Sequence, residues 1–78
     1  MNIEQYKKMI QDTIDPLQIQ KLCDNTHTRI DFLRSIYETG GANNYFSKEF
    51  QGSAIRESQE MCRLSSACHA ILREISEK

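Results

Sequence analysis

The side chains best suited to chemistry in this chain are three cysteines, Cys23, Cys62 and Cys68, and two histidines, His27 and His69. Thiolate and imidazole serve both zinc coordination and nucleophilic catalysis. Cys23 and His27 are four residues apart, so on a helix they share one face. A hairpin folded about the middle of the chain brings Cys68 and His69 level with them, which makes a metal site of Cys23, His27 and Cys68 sterically conceivable. The spacing contains neither the Cys-x-x-Cys nor the His-x-x-x-His pair of zinc modules. Cys62 and His69 share a face but lie about 10 Å apart along a helix axis, too far for one ion. The expectation is therefore no metal and no cofactor. The cysteines are read as small apolar core residues, and the histidines as the edge of an apolar stripe.

Catalysis meets similar obstacles. Adjacent helical residues project about 100° apart, so Cys68 and His69 cannot activate each other. Cys68 could meet His27 only across a hairpin. A chain of 78 residues rarely encloses the ~300 Å³ or more that small-molecule sites use. Asp12 and Asp15 flank a turn, and Glu57 and Glu60 alternate with Arg56 and Arg63, the pattern of a solvated face. Gly40-Gly41 and Gly52 have no preceding strand and no Gly-Lys-Ser/Thr ending, so they are not a phosphate loop. The expectation is a protein that is not an enzyme.

Three segments with helical periodicity must position these residues. In the first, about 2–14, Ile3, Tyr6, Met9, Ile10 and Ile14 recur at three and four. Asp15-Pro16 interrupts it and suits an N-cap followed by a first helical residue. The second segment, 16–39, carries Ile19, Cys23, Thr26, Ile30, Leu33 and Tyr37, widened by Leu22 and Ile36. Gly40-Gly41 ends it, since glycine takes the left-handed C′ conformation freely. The third segment, 54–77, has a heptad seam of Ala54, Ser58, Met61, Ser65, Cys68, Leu72 and Ile75, broadened by Ile55, Cys62, Leu64 and Ile71. Ser53 is its expected N-cap, with Ser47 as an earlier start. The pattern predicts a single all-α domain over 1–78. Its body is a long antiparallel hairpin of segments 16–39 and 54–77, with an N-terminal helix that folds back onto it or reaches out to a partner.

Ten basic and eleven acidic residues give a net charge of −1. Binders of nucleic acid or anionic membranes need a surplus of Lys and Arg, so neither is expected as a partner. No segment approaches the ~18 apolar residues of a membrane span. The start, Met1-Asn2-Ile3-Glu4, lacks the basic-then-apolar order of a secretory leader. An odd, sparse set of cysteines is not a disulfide framework, which points to reduced thiols and a cytoplasmic location.

The stretch from Ile55 to Leu64, through Ser58-Gln59-Glu60-Met61-Cys62, resembles the Ser-Gln-Glu-Leu-Asp signature of the small sporulation-type aspartyl-phosphate phosphatases. That family consists of helical hairpins that dephosphorylate response regulators. Cys62 stands where the signature has Asp, so the family's catalytic role has no residue to carry over to. In topology alone, a hairpin joined through Gly40-Gly41 is also similar to the small co-chaperones of type III secretion needle subunits.

An elongated hairpin leaves apolar surface uncovered, and a dimer or a larger protein partner is its natural completion. The functional expectation is a non-enzymatic helical interaction module: a regulator, inhibitor, adaptor or co-chaperone. Its expected contacts are Tyr45, Phe46 and Phe50 in the aromatic connector, and Ile3, Tyr6 and Ile10 on the first helix. The alternative is a small phosphatase-like or thiol-dependent enzyme centred on Cys62 or Cys68.

Overall fold

Asn2 starts the first helix of the computed structural model, which describes residues 1–39 and 46–77. Its side chain accepts from the Gln5 backbone N–H at 2.8 Å, and the Gln5 side chain accepts from the Asn2 N–H at the same distance. This reciprocal cap satisfies two donors that helix α1 (Ile3–Thr13) would otherwise leave open. The chain leaves the helix at Ile14, whose backbone is extended, and stays extended at Asp15, where Pro16 disfavours helical backbone. The Asp15 carboxylate accepts from Leu17 N–H at 3.0 Å. One tight turn, Pro16–Gln18, then leads into α2 (Ile19–Arg34). The chain continues in a wider turn of the π type, Ser35–Thr39. At its entry Ser35 Oγ donates back to the Phe32 carbonyl at 2.6 Å, a bond that tends to bend a helix.

The return helix α3 (Lys48–Ser76) is 29 residues long. It starts six residues before the expected Ala54 because Ser47, not Ser53, is the N-cap: its hydroxyl accepts from Phe50 N–H at 3.1 Å. Gly52 thus lies inside the helix. A helical glycine costs about 0.5–1 kcal/mol relative to alanine, an amount the added turn outweighs. The expected stop at Gly40-Gly41 falls outside the described residues. The elements otherwise follow the predicted order: an all-α chain whose second and third segments form a long hairpin, with the N-terminal helix laid against it.

Packing divides into two clusters. Where all three helices meet, Ile10 of α1 and Ile19 and Cys23 of α2 close over Ala67, Cys68 and Ile71 of α3. Toward the connector, Leu33, Ile36 and Ala54 form a smaller cluster with Tyr37 and Met61 against it. The stretch between them holds buried Thr26, Ser58 and Ser65. Thr26 Oγ1 donates to the Cys23 carbonyl at 2.7 Å, and the Tyr37 and Ser58 hydroxyls lie 3.3 Å apart. Among the described residues no buried side-chain N or O lacks a partner.

The buried face of α3 is narrower than its spacing suggests. Ile55, Cys62 and Ile75 were expected to contribute to it and instead are exposed. Helix α1 packs on the flank carrying Ala67 and Ile71, and among the described residues no helix packs on the other. The molecule measures 48 × 19 × 17 Å with a radius of gyration of 14.6 Å. A compact domain of this length would have about 11.5 Å. No helix among the described residues is long and apolar enough to cross a membrane.

Candidate functional site

At the edge of the three-helix cluster, α2 and α3 bring three strong donor groups together. Cys23 and His27, one turn apart on α2, face α3 at the level of His69. Cys23 Sγ lies 3.5 Å from His69 Nε2, and His27 Nε2 lies 3.0 Å from the same nitrogen. The two imidazole rings meet edge to face with centroids 5.2 Å apart. One donor atom from each of the three residues falls within 4.8 Å of the others. Cys23 is buried, whereas both histidines are exposed. They open on a cleft of about 350 Å³ that is also lined by Asp31, Arg34, Cys62 and Ser65.

Burial pushes the Cys23 thiol above its ordinary pKa, and the neighbouring Asp24 carboxylate adds to the shift. Cys68 is fully enclosed in the three-helix cluster. Burial first, and then the nearby Cys23, push its thiol up to about 11. A nucleophilic cysteine needs the opposite, a thiolate favoured near neutral pH. Cys68 faces the core, and the donor that joins Cys23 and His27 is His69 rather than the Cys68 that the sequence made conceivable.

A second feature lies toward the connector. All three phenylalanines of the chain are exposed: Phe32 by 54 %, Phe50 by 49 % and Phe46 by 39 %. Phe46 and Phe50 stack with ring centroids 5.2 Å apart, one turn of chain bringing them level. Phe32 and Phe50 line opposite sides of a groove of about 130 Å³ floored by Leu33, Ile36 and Ala54. Arg29 and Glu57 border it. One guanidinium nitrogen of Arg29 donates to both Glu57 oxygens, at 3.0 and 2.9 Å, and the group also lies 5.2 Å from the Phe32 ring centroid.

The expected contact residues separate accordingly. Phe46 and Phe50 are at this groove end, and Tyr45 lies outside the described residues. Ile3 is 40 % exposed at the start of α1. Tyr6 is half-buried, and its hydroxyl donates to Glu60 at 2.5 Å. Ile10 has no exposed surface, so it is a core residue and cannot itself touch a partner. Helix α1 has turned its apolar side inward. Phe32 was missed, although a signal existed: it sits beside Leu33, off the stripe that runs through Ile30, Leu33 and Tyr37. His69 was not placed beside Cys23 and His27 because its sequence neighbour Cys68 holds the seam position.

In the stretch resembling the phosphatase signature, Ser58 is buried beside Tyr37, Glu60 bonds Tyr6 and Arg63, and Cys62 is exposed. Compared with protein-family models, curated proteins and solved structures, the chain matches none.

Proposed function

We infer that the chain is a non-enzymatic helical interaction module that binds a protein partner through the edge formed by Phe32, Phe46 and Phe50. The observation that carries this reading is the placement of every phenylalanine outside the core of a protein short of core residues. Fully burying such a side chain contributes about 1.5–3 kcal/mol, and roughly half of that is left here for another molecule to supply. Aromatic anchors beside a small pocket, with charged groups at the margin, match the anatomy of interface hot spots. The groove between Phe32 and Phe50 has room for an apolar side chain of the partner, and the Arg29–Glu57 pair forms its polar rim. The thiol-dependent alternative draws less support at Cys68, whose thiol is enclosed in the core and shifted away from the thiolate form.

The test is a photo-reactive phenylalanine analogue placed at position 32, and at exposed Leu17 as a control. Irradiation in the native host should give a discrete protein adduct from position 32 and none from position 17. The double variant Phe32→Ser, Phe50→Ser should keep its helix content and lose the complex with the identified partner at least tenfold in affinity. Equal labelling from both positions, or a complex that survives the double variant, would remove the reading.

A further inference from the structure

Two imidazoles and a thiol converge on one point between α2 and α3, and the interaction reading makes no use of them. In the metal-free protein His27 and His69 can share one hydrogen bond, and Cys23 Sγ adds a long contact. Neither contact needs all three donors within 4.8 Å.

We propose that Cys23, His27 and His69 form a zinc(II) site that clips the two helices of the hairpin together. Zinc takes thiolate at about 2.3 Å and imidazole nitrogen at about 2.0–2.1 Å, tetrahedrally. Those lengths put sulfur and nitrogen ligands about 3.6 Å apart, and two nitrogens about 3.3 Å apart. The observed Cys23–His69 and His27–His69 separations are 3.5 and 3.0 Å. These two separations are within a few tenths of an ångström of the tetrahedral values, and the third pair, Cys23 and His27, lies within 4.8 Å, so a small turn of the exposed imidazoles admits the ion.

Two ligands come from successive turns of one rigid helix and the third from the opposing helix, so the backbone already sets the geometry. The donor set is one sulfur and two nitrogens with no oxygen, which selects zinc or cobalt over magnesium or calcium. Three protein ligands leave the fourth position open toward the cleft beside His27 and His69, where water completes the shell. Binding releases the thiol proton: the Cys23 Sγ–H bond is lost, the Sγ–metal bond forms, and the proton goes to solvent.

The experiment titrates the reduced, metal-free full chain with cobalt(II), then displaces cobalt with zinc. The expected result is one cobalt per chain, a thiolate-to-cobalt charge-transfer band, and visible bands of tetrahedral intensity that zinc abolishes. Zinc should raise the melting temperature by about 5 °C or more at saturation, because the ion binds only the folded hairpin. Cys23→Ser should lose the charge-transfer band. Exposed His27→Asn and His69→Asn should each weaken binding at least tenfold, with circular dichroism confirming an unchanged fold. Cys62→Ser should change nothing. Absence of the charge-transfer band in the folded wild-type chain would overturn the site. So would binding that survives His69→Asn, or loss of binding in Cys62→Ser.

Discussion

The Tyr6 hydroxyl reaches from α1 to Glu60 Oε2 on α3, and the same oxygen lies 3.4 Å from the N-terminal ammonium. The Tyr6 bond is the main reason that the Glu60 carboxyl sits below its ordinary pKa, with the terminal ammonium and Arg63 assisting against partial desolvation. The same bond raises the Tyr6 phenol. A carboxyl with a depressed folded pKa contributes stability above its unfolded value, and the contribution is lost as pH falls through the folded one. Tyr6→Phe should therefore melt at a lower temperature than wild type at pH 6–7, with the two curves converging as pH falls below the carboxylate range near 4.3. Thermal melts of both proteins across pH 3–7 check this, and a deficit that is constant with pH would contradict it. At this scale the sequence was partly legible. The spacing at three and four identified Ile19, Cys23, Leu33 and Cys68 as inward-facing, whereas Ile10, expected at a partner contact, is buried. It could not identify the Tyr6–Glu60 bond or the His27–His69 encounter, because partners 54 and 42 residues apart meet only once helix docking sets their rotation.

Helix boundaries followed local chemistry where that chemistry was unambiguous. Asn2 with Gln5, and Asp15 before Pro16, each closed a backbone donor with a nearby side chain. The start of α3 was ambiguous, since Ser47 and Ser53 are both competent caps and Gly52 reads as a loop residue. The earlier serine wins by adding helical hydrogen bonds, which leaves Gly52 inside a helix. A Cβ at this position would meet only the end of the flexible Arg56 side chain, at an ordinary contact of 3.6 Å. Gly52→Ala should therefore stabilise the protein by about 0.5–1 kcal/mol, by lowering the backbone entropy lost on folding. Urea unfolding followed by circular dichroism measures this difference. A loss of stability instead would place residue 52 outside the helix.

Five ion pairs decorate the described surface, and each has a member at least two-fifths exposed. Such pairs contribute about 0–1 kcal/mol apiece, so the shape of the molecule rests on its apolar seam. That seam is long and thin, which makes the radius of gyration of 14.6 Å a signature of the monomer. Dilute small-angle scattering should give about 15 Å, against about 11.5 Å for a compact domain of equal length. If a second copy is the partner of the phenylalanine edge, the scattering mass should double with concentration in wild type. In the Phe32→Ser, Phe50→Ser variant it should then stay single. Periodicity and cap residues by themselves determined that the chain is all helical, that it breaks at Asp15-Pro16, and that its last two segments pair lengthwise, because these depend on backbone propensity and on burying an apolar stripe. Only the tertiary structure decided which flank of α3 receives α1. The pairing of α2 with α3 in turn leaves His69 opposite Cys23 and His27, because the fine rotation of a helix about its own axis is set by what packs against it.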